Sequence, residues 1–418
     1  MKNIILTIVI IVASAATGLA QQITTLEECL SMALSNNPTM QSGLYSIARA
    51  KDLQGTAWDL PSTEISLSQT PVDGGGPDNA VTFKQSFEFP TIYKARHSKL
   101  KAMSHLEEVK YEMSRLELEK EVTMAYYTML AALETRKALQ AQDSVYSHFL
   151  FLANARLKAG EAGRLEQINA KRLLDACRLM SRDADIAVTN AEIRLQNLLN
   201  TDREIVPKED KLPAIEVPLD RLAGNFNPYE SPTLRVLSQE REVAEKEVGI
   251  ARQSFLPEIS LGASTQALIK SFNPYDIERS RFSKGNFMGF EVGVSIPLFF
   301  GAKKSALKAA KRDVEINRVQ MEAELQRVTA EFRTVQNDYL RSQKALDYHL
   351  SVANKDAAEI QRIAQVSYEK GDIDYLEYIQ NIQVAMEQQL SYIDALDAYN
   401  KAAIALLFIQ PISTSKQK

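Results

Sequence analysis

Two periods of hydrophobic residues, 3.6 and 2, take turns along this chain, and their order is used twice. Leu26, Leu30 and Leu34 fall near one helical face behind a Thr25–Glu28 capping-box spacing; Leu44, Ile47 and Leu53 continue past Pro38. This predicts a helix over 24–57 interrupted at the proline. The period then drops to two. Ile65 and Leu67 alternate with Glu64, Ser66 and Ser68, while Val81, Phe83, Gln85, Phe87 and Phe89 alternate with Thr82, Lys84, Ser86 and Glu88. Strands are predicted over 62–70 and 80–90, with the turn-rich run Pro71 to Asn79 between them. Residues 92–158 hold neither proline nor glycine and return to helical spacing through Leu100, Met103, Leu106, Val109, Met113 and Leu116. At the rise of an α-helix such a stretch reaches roughly 100 Å, far beyond a compact domain's needs.

The second half repeats the order. A helix is predicted over 233–254, then strands over 257–267 and 286–298, where Ile259, Leu261, Ala263 and Thr265, then Phe290, Val292, Val294 and Ile296, alternate with polar or small residues. Residues 302–370, again free of proline and glycine, predict a second uninterrupted helix with a coiled-coil seam from Leu307 to Tyr339. Pro38, Pro61, Pro90 and Gly160 match Pro232, Pro257, Pro297 and Gly371, at offsets of 194, 196, 207 and 211. Each long helix ends at a glycine, the residue that most easily takes a left-handed helix stop, and a returning helix follows. The predicted organisation is a signal segment 1–20; a first repeat 21–200 with its helical hairpin at 92–200; a proline-rich linker 201–232; a second repeat 233–410 with its hairpin at 302–408; and a polar tail 411–418, expected to be disordered.

Composition narrows the setting. Lys2, the apolar run Ile4 to Ala16 and the small residues Gly18 to Ala20 read as a secretory signal, too short to span a bilayer as a helix. No other apolar stretch is long enough for a transmembrane helix, so any membrane entry is by a β-barrel. The net charge is −4, or −5 once Lys2 leaves with the signal, and cations are mixed with anions. That gives no nucleic-acid footprint. Cys29 and Cys177 are too few for a disulfide scaffold and read as small buried residues. His97, His105, His148 and His349 lack the partners of a metal site. No phosphate loop or nucleophile–base spacing is present, so the chain is not read as an enzyme, and no cofactor or metal is expected.

Four strands cannot close a barrel, and open edges cannot face lipid. Either the strands form a soluble sheet, or copies pool them. Three copies would supply twelve strands and, on the same threefold axis, six long hairpins to close a helical tube. The fold class is therefore mainly α with a β-barrel part: a duplicated unit of two barrel strands plus a long coiled-coil hairpin, in a trimeric channel-tunnel. The alternative is a soluble periplasmic coiled-coil protein, an adaptor or a chaperone.

This order of elements resembles the outer-membrane efflux protein (TolC) family over essentially the whole mature chain. The residues that carry the likeness are Leu26 to Leu34 with Asn37-Pro38, the pair Pro257 and Pro297, and the turns at Gly160 and Gly371. The resemblance implies a homotrimeric channel in the outer membrane. A helical tube crosses the periplasm and docks, through a periplasmic adaptor (membrane fusion) protein, on an inner-membrane pump. It makes the turns at 157–167 and 368–378 the periplasmic tips, with Gly160, Leu165, Glu166, Gly371, Leu376 and Glu377 as docking residues. Asp372, Asp374 and Glu377 become the acidic candidates at the pore entrance. Gln380 stands where the family pattern has a second acid. The stretches Leu60 to Glu64 and Gln85 to Pro90 look like those of members serving heavy-metal pumps of the resistance-nodulation-division type, so the cargo implied is heavy-metal cations or drugs.

Overall fold

The structure, a computed structural model, describes residues 23–72, 76–161, 163–218, 226–267 and 287–409. The predicted signal segment 1–20, the tail 411–418 and the stretch 268–286 between the second pair of strands lie outside these. The chain divides into two compact units, each built from both halves of the sequence: Met1–Ser42, Glu112–Ser231 and Gln326–Lys418 in one, Gly43–Tyr111 and Pro232–Leu325 in the other.

Strand β1 (Ile23–Thr24) leads into α1 (Leu26–Asn36), whose capping box is complete: the Thr25 hydroxyl accepts from Glu28 N–H, and the Glu28 carboxylate accepts from Thr25 N–H. The break before α2 (Pro38–Asp52) has a local cause. Asn37 is extended, its side-chain oxygen accepts from Thr39 N–H at 2.8 Å, and Pro38 takes the first helical position, where no N–H is needed. The Asn37 amide also donates to Leu198 O at 3.0 Å, tying this corner to a distant helix.

In the second unit, β2 (Glu64–Val72), β3 (Gly76–Phe87), β5 (Glu258–Ala267) and β6 (Phe287–Ser295) form one antiparallel sheet in the order β2-β3-β5-β6. Strand β4 (Val206–Pro207) pairs with β1 instead. The first hairpin runs further into its turn than alternation predicts, with Pro71 opposite Pro77 and Val72 opposite Gly76. Ladder pairing needs only backbone, which side-chain periodicity does not report.

Register sorts the faces. Ile65, Phe83, Ala263 and Phe290 form one cross-strand row, and Gln85, Leu261 and Val292 another. On the opposite face lie Ser66, Thr82, Ser264 and Gly289, then Glu64, Lys84, Gly262 and Glu291, then Ser86, Ser260 and Gly293. Lys84 reaches Glu291 at 3.8 Å across Gly262. The polar face is packed close: a Cβ on Gly293 would stand 2.5 Å from Ser260 Oγ. The apolar face is bare in the single chain, with Phe290 83% and Val292 74% exposed. Each such side chain gains about 1.5–3 kcal/mol on leaving water. Both sheet edges, β2 and β6, have an unpaired side.

Helix α3 (Pro90–Ala159) is continuous, with Pro90 at its first position, and α4 (Arg164–Leu199) returns from it. Helix α5 (Pro232–Gln253) precedes β5. The second long helix departs from the uninterrupted stretch predicted over 302–370. Helix α6 (Gly301–Tyr348) passes into a π-type turn (His349–Ala353) before α7 (Asn354–Lys370) and the returning α8 (Tyr375–Ile409). No proline or glycine announces the interruption. Ser351 bonds back to Asp347 O at 2.6 Å, and the half-buried His349 has no hydrogen-bond partner for Nδ1.

The described part of the linker is held against the first unit. Tyr126 O–H bonds Thr24 O at 3.0 Å and the Glu209 carboxylate. Asn400, fully buried, accepts from Ile215 N–H at 2.9 Å and donates to Pro213 O at 2.8 Å. Cys29 and Cys177 are buried free thiols; burial, then the nearby Glu28 and Glu209, pushes Cys29 up to about 12.

Candidate functional site

The turns that end α3 and α7 are built alike, 211 residues apart. Gly160 and Gly371 have φ of 77° and 80°, a conformation costly for any side-chain-bearing L-residue. Around each, two backbone bonds close a Schellman motif. Gly160 N–H reaches Leu157 O at 3.2 Å and Glu161 N–H reaches Arg156 O at 2.9 Å; Gly371 N–H reaches Tyr368 O at 3.0 Å and Asp372 N–H reaches Ser367 O at 2.8 Å. The hydrogen-bonding need of a helix end, met twice by one device, sets two hairpin tips.

The structure brings these tips together. Arg156, one turn before Gly160, pairs with Glu166 at 3.0 Å, bonds Tyr368 O–H at 3.4 Å and lies 5.8 Å from the Tyr375 ring centre. Tyr368 stacks on Tyr378 at 4.6 Å, and Tyr378 meets Phe149 edge-on at 5.3 Å. Tyr375, buried, donates its O–H to Phe149 O at 3.0 Å. Below them, Leu139, Ala153, Leu173, Leu174, Ile379 and Ile382 form a common core. Burial raises the Glu166 carboxyl above the usual carboxylate range, and Asp374 raises it further, against the lowering influence of Arg156.

The residues singled out from sequence fall into different settings. Leu165 and Leu376 are exposed, 71% and 50%, at the same position of the two copies; with Arg156, Glu166, Tyr375 and Gln380 they border a cleft of about 510 Å³. Glu166 is half-buried against Arg156, not free. Asp374 caps α8, its carboxylate accepting from Glu377 N–H at 2.8 Å, whereas Gly163 at the matching position caps α4 with no side chain. Asp372 and Glu377 are exposed. Sequence reasoning did not single out Arg156, Phe149 or the three tyrosines as a cluster. The only local signal was the density of Tyr368, Tyr375 and Tyr378 around the second glycine.

The arrangement is a pair of tips with exposed apolar side chains and a mixed-charge cleft. Among the described residues no helix is long and apolar enough to cross a membrane, and no group of three His, Cys, Asp or Glu stands close enough to hold a metal ion.

Comparison with known proteins gives this arrangement a context. The profile of the family described as Outer membrane efflux protein matches residues 29–201 and 229–409. A nickel-cobalt-cadmium resistance protein, NccC, of Alcaligenes xylosoxydans xylosoxydans is 22% identical over 313 residues, 72% of this chain and 68% of that protein. Among solved structures, the CmeC outer membrane channel of Campylobacter jejuni superposes with a TM-score of 0.74 at 16% identity, covering 92% of this chain and 85% of that one. The open state of the MtrE outer membrane channel of Neisseria gonorrhoeae gives 0.74 at 16% identity, covering 92% and 88%.

Proposed function

The chain belongs to the outer membrane efflux protein family, and from that premise we propose that its paired tips are the end that meets the periplasmic adaptor and gates the duct. It is an outer-membrane efflux channel of a tripartite system, with a helical extension into the periplasm; such channels transport and do not catalyse. Channels of this family work as trimers with an adaptor and an inner-membrane pump. In our reading three copies pool their sheets, β6 of one beside β2 of the next, so that every edge is paired and the bare apolar face meets lipid. The polar, small-residue face then borders the water-filled lumen.

One observation carries the tip assignment. The two glycine turns, separated by 211 residues, share Arg156 and one aromatic core, so the two hairpins end together and expose Leu165 and Leu376. Exposed leucines on a paired tip suit docking of a helical partner. Asp372 and Glu377 supply exposed negative charge there, with Gln380 in place of a second acid.

The pump we infer is of the resistance-nodulation-division type, and the cargo a heavy-metal cation. The support is the sequence of the first strand pair and the likeness to a nickel-cobalt-cadmium resistance protein. Cells carrying Gly371→Pro, which loses the N–H bonded to Tyr368 O, or Gly160→Val are expected to form normal trimers and lose cadmium and nickel tolerance. Trimeric variants with full tolerance overturn the tip assignment.

A further inference from the structure

Where the sheet gives way to the long helices, the chain carries cations and no anions. From Phe89 to Leu106 there are Lys94, Arg96, Lys99 and Lys101 and no Asp or Glu; from Val292 to Arg312 there are Lys303, Lys304, Lys308, Lys311 and Arg312, again without one. The first turns of α3 and α6 accordingly contain no acidic residue, although helix N-termini favour acids. Both copies accept this local electrostatic cost at the same place.

Immediately before the cations stands an aromatic band. Trp58 stacks on Tyr93 at 5.7 Å and Phe255 on Phe300 at 5.8 Å, while Phe299 is 91% exposed. Apolar strand face, aromatic band, then basic helix start is the order met on crossing from hydrocarbon through headgroups into water.

The cations on α6 also border a built cleft. Arg252 at the end of α5 faces Lys308, Lys311 and Arg312 across a space of about 680 Å³. Two carboxylates share the lining, but each is engaged with a cation of its own helix: Glu245 with Arg241 at 3.0 Å and Glu315 with Arg318 at 3.0 Å. Among the described residues, none of the four cleft cations has a carboxylate within 4.0 Å. By contrast, in the first copy Arg96 and Lys99 are consumed by Glu88 and Glu247, at 2.9 and 2.6 Å. Lys94 and Lys101 of the first copy also have no carboxylate partner among the described residues, but the second copy gathers four such cations around one cleft.

We propose that the cleft formed by Arg252, Lys308, Lys311 and Arg312 binds the phosphate headgroup of an anionic phospholipid in the periplasm-facing leaflet of the outer membrane. The proposal rests on the barrel reading of the sheet, which places the aromatic band at the membrane boundary. Shared phosphate chemistry fits a lipid or a free ion; Phe255, whose N–H bonds Arg252 O at 3.4 Å and whose ring stacks on Phe300, ties the aromatic band to one end of the cleft, and that apolar surface selects the lipid.

The test uses the purified full-length protein in neutral detergent. Native mass spectrometry would count bound phosphatidylglycerol and phosphatidylcholine on wild type and on Arg252→Gln/Lys308→Gln/Lys311→Gln/Arg312→Gln, with Lys308→Arg/Lys311→Arg as the charge-keeping control. Wild type and the control should retain phosphatidylglycerol about tenfold better than phosphatidylcholine, and the neutralised variant should lose that preference. Equal retention by wild type and the neutralised variant overturns the proposal. So does inorganic phosphate at millimolar concentration displacing the lipid, which makes the site one for a free ion. So does loss of the oligomer in the neutralised variant, which makes the cations an interface between copies. Reconstitution into liposomes separates the two readings: variants that insert as the oligomer but ignore lipid charge remove only this inference, and a wild type that does not insert removes the channel reading.

Discussion

The two tips share a backbone and differ in how they are fastened. At the first, Gly163 and Arg164 begin the returning helix with no side-chain cap; at the second, Asp374 caps the helix and Tyr375 is buried against Phe149. The long helices behind them differ too. Both run for 70 residues, from 90 to 159 and from 301 to 370, but only the second is broken by a π-type turn, at His349–Ala353. One copy is a continuous strut, and the other carries an interruption in its shaft and extra bonds at its end. A repeated backbone plan thus leaves side chains free to fasten the two hairpins differently.

Exchange between matched positions breaks or sharpens this contrast. The largest effect is expected at Tyr375. Truncation to alanine empties a buried aromatic site and removes the O–H bond to Phe149 O, which should cost about 3–5 kcal/mol, read from the denaturant midpoint of the purified protein. Arg164→Ala, at the matching exposed position, should stay within about 0.5 kcal/mol. Equal costs would erase the asymmetry. Next comes the cap: Asp374→Ala should lose about 1 kcal/mol, while Gly163→Asp, which supplies the missing cap, should recover part of that at the first tip.

The smallest effect is a pH slope. Glu166 has a folded pKa raised above 4.5, chiefly by burial, so the folded protein binds its proton more tightly than the unfolded chain. The stability this gives is present below the ordinary value and is lost as pH rises from 4.5 through the raised folded value. Melting temperature should therefore fall across that window by more in wild type than in Glu166→Gln. A steeper fall in the variant would contradict the sign.

The architecture was legible because its causes are local or periodic. Alternation at Ile259 to Thr265 and Phe290 to Val294 marks strands whatever they pair with, and Thr25–Glu28 announces a helix start by itself. The interruption at His349 was not, since proline and glycine are the only breakers a single sequence displays plainly. Arg156 could not be read as a clasp because its partner Tyr368 lies 212 residues away. The linker's grip on Asn400 is hidden in the same way: its prolines declare an end to helix, while the carbonyl that Asn400 binds, on Pro213, carries no side-chain signature.

All of this rests on open sheets being completed by neighbours. Electron cryomicroscopy of the full-length protein in lipid nanodiscs tests that directly. Threefold particles with a closed barrel of twelve strands, β6 of each copy beside β2 of the next, are the expected result. A particle of one copy, its four-stranded sheet still open at both edges, would contradict it.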